Sequence, residues 1–360
     1  MNATGRRTVC LLVVIALVYL CAWLVYKGSE RTYHAVPIIT LTPGDAMLRD
    51  GELAGSFFIW GGMPSAAHPD LHGSIYIGIM RKRSTGVLVF RPDGTFDHEI
   101  TLKAWRDGTQ PGLVYAMNVS PSGDRLWVAY PGRRCMRVSV YDTEGKPRSP
   151  WVLADGGVLQ IAAAGEDAAY LWDMGQYLQT FRLGSTHYRT QSFLLTNPVL
   201  VDNGWIWGVE PVRKPKPTVY DYSLPSYYRA RVWRQKPGEE RQEMCRTTLP
   251  GHGGAMPFWR DNSGNLYVVI PLSKWRNGRK AGSWVYRVSP KGKAETLFNA
   301  SGLLARGERP GSFLRVDQDG AVLFETDDTP YGQSVLGNYH IYKAVPTCRW
   351  RVWLKKLGLE

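Results

Sequence analysis

Few residues in this 360-residue chain have the types and spacing that chemistry demands. His68-Pro-Asp70-Leu-His72 sets three metal-binding side chains at alternate positions, which share one side of an extended segment. The spacing matches no established ligand motif, so the segment reads as an ordinary polar turn. Gly251-His252-Gly-Gly254 joins two repeats; its glycines would let a ligand approach the backbone, or serve only as a flexible turn. Asp317-Gln-Asp319-Gly320 begins like a calcium loop but lacks the later ligands and the closing glutamate, and reads as a turn before a strand. There is no Gly-x-Ser-x-Gly elbow, no His-Glu-x-x-His pair, no phosphate-binding loop and no cofactor motif. Five cysteines without a Cys-x-x-Cys pair make neither a zinc site nor a disulfide framework; Cys135, Cys245 and Cys348 allow one bridge at most. No catalytic residue, metal or cofactor is expected.

Cations are the other chemically loaded residues. The formal net charge is +13, and it is unevenly spread. Residues 211–236 hold seven basic side chains against Asp221, and residues 271–293 hold seven against none. Local basicity of this kind implies an anionic partner or surface.

The elements that would position these residues follow from a repeat. Six times a glycine precedes a short hydrophobic strand with a large side chain at its centre, namely Tyr76, Trp127, Tyr170, Trp207, Tyr267 and Leu323. A second strand follows each anchor, over 87–90, 138–141, 178–183, 230–233, 284–288 and 340–343. Several of these run into a tight turn, as in Arg91-Pro-Asp-Gly94, Asp142-Thr-Glu-Gly145 and Ser289-Pro-Lys-Gly292, where glycine supplies the positive φ of a hairpin. A strand also precedes each anchor, for example 57–60 and 116–119. With a weaker outer strand, each repeat makes one four-stranded antiparallel blade, and the fold class is an all-β, six-bladed β-propeller.

The segments Val119-Ser-Pro-Ser-Gly-Asp-Arg-Leu-Trp-Val128 and Arg260-Asp-Asn-Ser-Gly-Asn-Leu-Tyr-Val268 carry a further likeness. Over residues 55–344 the chain resembles the six-bladed propellers of the TolB-like and NHL type. The third repeat departs by lacking the Asp-Gly turn, and the fourth by a long insertion. The resemblance implies a fold and no particular activity, since some relatives are lactonases, lyases and other hydrolases that gather metal ligands around the channel. It also implies that the loops between second and third strands emerge on one face. Here those loops carry Arg81, Lys82 and Arg83; Arg133 and Arg134; Arg213, Lys214 and Lys216; and Lys274, Arg276, Arg279 and Lys280. They are either a binding face, with His252 beside it, or merely solvated loops; Asp327 and Asp328 break the pattern in the last repeat.

Both ends of the chain are distinctive. Thr8 to Tyr26 carries no charged side chain and, as a helix, would span about 28 Å. Arg6 and Arg7 precede it, so the expected topology is a cytoplasmic N-terminus (1–7), a transmembrane helix (8–26), a linker and start of the propeller (27–54), and an extracytoplasmic propeller (55–345); the competing reading of the apolar run is a cleaved signal peptide. The tail, 346–360, sets Trp350, Trp353, Leu354 and Leu357 at helical spacing beside Lys355 and Lys356, as a basic amphipathic helix docking on a membrane or partner would. Trp350, Val352 and Leu354 equally alternate as a strand closing the ring. The reading reached is a single-pass membrane protein, periplasmic or extracellular, whose propeller is a non-enzymatic binding or assembly module. Its expected partners are the lipid bilayer and a membrane protein complex or anionic surface, with no nucleic acid. The alternative is a membrane-anchored, lactonase-like propeller hydrolase or lyase with a metal on the channel axis.

Overall fold

The structure is a computed structural model that describes residues 31–41, 67–69, 72–80, 84–105, 108, 116–131, 136–148, 152–154, 158–173, 178–184, 189–191, 200–212, 227–250, 254–272, 282–305, 308–327 and 339–348. Strand β1 (Arg31–Leu41) opens the chain. Strands β2 (Ala67–Pro69), β3 (Ile75–Met80), β4 (Thr85–Phe90) and β5 (Phe96–Thr101) form the first sheet. The second comprises β6 (Ala116–Val119), β7 (Arg125–Pro131), β8 (Met136–Asp142) and β9 (Val152–Ala154). The third has β10 (Val158–Ala163), β11 (Ala168–Asp173), β12 (Leu178–Arg182) and β13 (Arg189–Gln191). The fourth has β14 (Leu200–Asp202), β15 (Trp205–Pro211), β16 (Tyr227–Gln235) and β17 (Gln242–Pro250). The fifth has β18 (Met256–Arg260), β19 (Leu266–Leu272), β20 (Gly282–Val288) and β21 (Ala294–Asn299). The last joins β22 (Arg309–Val316), β23 (Val322–Asp327) and β24 (Tyr339–Cys348) to β1, which pairs antiparallel with β24.

All pairings in these sheets are antiparallel, and all but the β1–β24 pair join strands consecutive in the chain. The inner strands β2, β6, β10, β14, β18 and β22 touch in succession, and β22 touches β2, so the sheets form a ring. This is a β-propeller. The six anchors all sit on the second strand of their sheet and all are buried. Trp127 is wholly enclosed and meets Phe181 of the next sheet edge to face, 5.4 Å between centroids. Burial of one such ring is worth about 1.5–3 kcal/mol, so the anchors clamp sheet to sheet.

Polar contacts also staple neighbouring sheets at the end where first and second strands turn. Glu166 accepts from the Ser122 N–H at 2.9 Å and the Ser122 hydroxyl at 2.6 Å, while Arg125 pairs with Asp167. The Tyr170 hydroxyl donates to the Gly204 carbonyl oxygen at 3.1 Å. Arg315, nearly fully buried, lies against Gly73 and pairs with Asp317, which also holds Lys343 at 2.7 Å. The Asp317–Gly320 segment is thus a turn stabilised by ion pairs, with the Gly320 N–H bonded to the Asp317 carbonyl oxygen.

Two expectations change. The single-pass membrane location is not supported: among the described residues no helix is long and apolar enough to cross a membrane, and the only helical turn is a 3-10 turn at Ala300–Gly302. The described chain is spent on strands, and residues 8–26 lie outside it. The inner strand of the first sheet is β2 at Ala67–Pro69, whereas residues 57–60 lie outside the described residues. His68 is therefore within a strand, opposite Tyr76, and not in the joint between two strands.

Candidate binding surface

The structure describes few of the residues singled out by sequence. Arg81, Lys82, Arg83, Arg133, Arg134, Arg213, Lys214, Lys216, His252, Lys274, Arg276, Arg279 and Lys280 all lie outside the described residues, as do Trp350, Trp353, Leu354, Lys355, Lys356 and Leu357. Of the His68–His72 segment, Asp70 is outside, and His72 is exposed in a turn. No group of three or more His, Cys, Asp or Glu able to hold a metal occurs among the described residues. Cys245 carries a free, half-buried thiol whose pKa burial pushes up.

The described residues do assemble a polar surface that sequence reasoning missed. It lies at the seam of the fourth and fifth sheets. Strands β14 and β15 are joined by Asn203-Gly204, both with positive φ (49° and 74°), the geometry of a two-residue type I′ hairpin. That turn sets Trp205 and Trp207 at alternate positions on one side of β15. Register places Arg234 of β16 opposite Trp207, and Lys236 follows the strand. The Arg234 guanidinium carbon lies 4.2 Å from the Trp205 ring centroid and 5.8 Å from that of Trp207. Lys236 Nζ is 4.7 Å from the Trp205 centroid, and the Arg260 guanidinium carbon, from β18 of the next sheet, is 4.8 Å from that of Trp207. Cations and indoles thus run in the order Arg260, Trp207, Arg234, Trp205, Lys236. Each cation is attracted to the negative face of its ring.

Their other partners are few. Arg260 Nη1 donates to Asp202 at 3.1 Å, and Arg234 Nε to Gln242 at 3.0 Å. The Trp207 indole N–H and the Arg260 Nε are buried without an acceptor among the described residues. On the opposite face of the sheet two arginines share one carboxylate. Glu210 holds Arg231 at 2.5 Å and Arg241 at 3.1 Å, and Arg241 stacks on Trp233 at 4.3 Å. Gly208 makes room for Trp233, since a Cβ there would lie 2.2 Å from the indole. Nearby, Tyr228 is half-buried, and the loss of solvent pushes its phenol up to about 12 and keeps it neutral.

A second polar cluster joins β1 to the last sheet. The Tyr342 hydroxyl donates to both oxygens of Glu308 at 2.9 and 3.0 Å, and the Ala305 N–H donates to one of them at 3.0 Å. Thr40 Oγ1 lies 3.0 Å from His340 Nδ1, while His340 Nε2 is 3.6 Å from Glu308, beyond hydrogen-bond reach. The carboxylate is occupied by tyrosine and backbone, so the cluster fastens strands and does not present an activated nucleophile.

No protein-family model matches the sequence, and no curated protein matches it. Similar solved structures include the β-propeller domain of the Trilobed protease from Pyrococcus furiosus, at 9% identity, with a TM-score of 0.44, over 73% of this chain and 78% of that one. Kuenenia stuttgartiensis hydrazine synthase is 14% identical, with a TM-score of 0.45, over 75% and 79%. The Cps50 (Swd1) β-propeller domain of Myceliophteria thermophila is 9% identical, with a TM-score of 0.41, over 80% and 98%. Such identities concern the fold alone, and the chain's own ring of sheets makes that fold a β-propeller.

Proposed function

We propose that the chain is a six-bladed propeller of the TolB-like and NHL kind that acts as a non-enzymatic binding and assembly module. Its basic connections between second and third strands form the face for an anionic partner. The observation that carries this reading is where the charge lies. The described strands and turns hold nearly equal numbers of basic and acidic residues, so the excess of +13 belongs to the segments between and beyond them. Four of those connections, after β3, β7, β15 and β19, are basic, and each leaves its sheet at the end opposite the first-to-second-strand turns. Like charges gathered at one end raise the association rate of an anionic partner, and salt weakens the effect over about 8–10 Å.

The test changes Arg213, Lys214, Lys216, Arg276, Arg279 and Lys280 to Glu together. Proteins copurifying with the tagged chain from its own cells are then quantified against a control with Lys103, Lys146 and Arg182 changed to Glu. Loss of partner in the first variant alone is the expected result. Equal loss in both, or in neither, overturns the loop face. A stoichiometric metal in the purified chain, with turnover of a lactone or ester, overturns the non-enzymatic reading.

A further inference from the structure

We infer that the cation–indole stack between the fourth and fifth sheets is a separate binding surface, and that it takes a short acidic peptide segment. It sits at the end of the sheets where first and second strands turn, whereas the basic connections leave from the other end. Its three cations meet a single carboxylate, Asp202. Arg234 spends one nitrogen on the neutral Gln242, and Lys236 has no carboxylate partner among the described residues. Both are partly exposed and held on aromatic rings, so little side-chain freedom is lost when an anion arrives. A guanidinium fork on a flat ring matches the planar geometry of a carboxylate.

The surroundings decide the class of anion. Glu239 and Glu240, both exposed, stand in the turn after Lys236, and Asp261 follows Arg260. A nucleic-acid backbone needs a continuous track of cations, and these carboxylates interrupt it on both sides. Three cations against the one carboxylate of Asp202 leave charge for a segment bearing two carboxylates.

The probe is a fluorescein-labelled octaglutamate peptide, with a benzophenone-bearing copy for crosslinking. Binding is read by fluorescence anisotropy, and crosslinked sites are mapped by mass spectrometry. The full chain is expected to bind, with crosslinks in residues 200–207, 232–242 and 256–262. Arg234→Gln with Lys236→Gln is expected to weaken binding about tenfold in the chain whose basic connections have been reversed, where the loop face no longer contributes. Lys236→Gln alone, at the partly exposed start of a turn, is expected to weaken it about threefold and guards against a folding defect in the double variant. Absence of binding, unchanged affinity in both variants, or crosslinks confined to other segments would each overturn the proposal. So would tighter binding of a single-stranded oligonucleotide of equal charge. Because the reversed connections are the background, failure of the stack and failure of the loop face are read separately.

Discussion

Gly145 illustrates how much a single position can carry. Its φ is +71°, and a Cβ there would lie 2.0 Å from the carbonyl oxygen of Thr101, on the outer strand of the preceding sheet. Gly94 and Gly292 press in the same way on Ile38 and Arg246. Gly184 has a similar φ of +77°, but nothing lies within 4 Å of its would-be Cβ. Gly184→Ala is therefore expected to cost about 1 kcal/mol, the left-handed penalty alone. Gly145→Ala adds a backbone clash and is expected to cost about 3 kcal/mol. Thermal or urea unfolding of the two variants separates conformation from space, and equal losses would refute the close approach. The turn chemistry was legible in the sequence because it is local: Asp-x-x-Gly demands a positive φ wherever it folds. The contact with Thr101 was not, because it depends on a neighbouring sheet.

Seams between sheets obey a different logic, since their partners are distant in sequence. Ser122 and Arg125 reach Glu166 and Asp167 across the second and third sheets. Burial alone would raise the Glu166 carboxyl, but the Ser122 hydrogen bonds and the Arg125 charge outweigh it, and its pKa falls below the ordinary 4.5. A lowered pKa in the folded state adds stability that is complete above 4.5 and is lost as pH falls through the folded value. Exposure to solvent screens the contribution to about 0.5 kcal/mol. The urea midpoint of the native chain should therefore fall more steeply between pH 6 and 3.5 than that of Glu166→Gln; parallel slopes would remove Glu166 from the seam. The same distance hid the cation–indole stack. Trp207 is visible as an anchor, with Trp205 two residues before it, and Arg234 and Lys236 as part of a basic segment. Residues 212–226 intervene, and the register that sets Arg234 opposite Trp207 cannot be counted across them. The third repeat visibly lacks the Asp-Gly turn, but that Glu166 and Asp167 in its place make the seam depends on the neighbouring sheet.

Ring closure belongs to the molecule as a whole. β1 pairs with β24 along nearly its full length, from Arg31 opposite Cys348 to Leu41 opposite Tyr339. Tyr33 also packs on Phe298 of the fifth sheet, 4.5 Å between centroids. Periodicity exposes the repeats but not this exchange, because β1 lacks the glycine and aromatic anchor that mark the others, and the alternation of Trp350, Val352 and Leu354 offers the tail as a closing strand instead. A chain lacking residues 31–41 leaves β24 as an unpaired edge, and is expected to melt several degrees lower or to self-associate. A synthetic peptide of residues 31–41 added in excess should restore the melting temperature by mass action. A truncated chain as stable as the full one would show that β1 is dispensable.

The clasp also has a consequence for the time during which the protein is made. The two strands of the pair are the first and last described in the chain, so β1 leaves the ribosome some 300 residues before its partner exists. At 5–20 residues per second it waits on the order of 15–60 s with its backbone groups bonded only to water. An exposed strand of eleven residues invites pairing with another nascent chain. Pro37 removes one donor from its middle, and the register slips between Pro37 and Ile39. The same irregularity that a finished ring merely tolerates shields the waiting strand from the wrong partner, and Pro37→Val should raise the share of newly made chain that emerges as strand-exchanged oligomer.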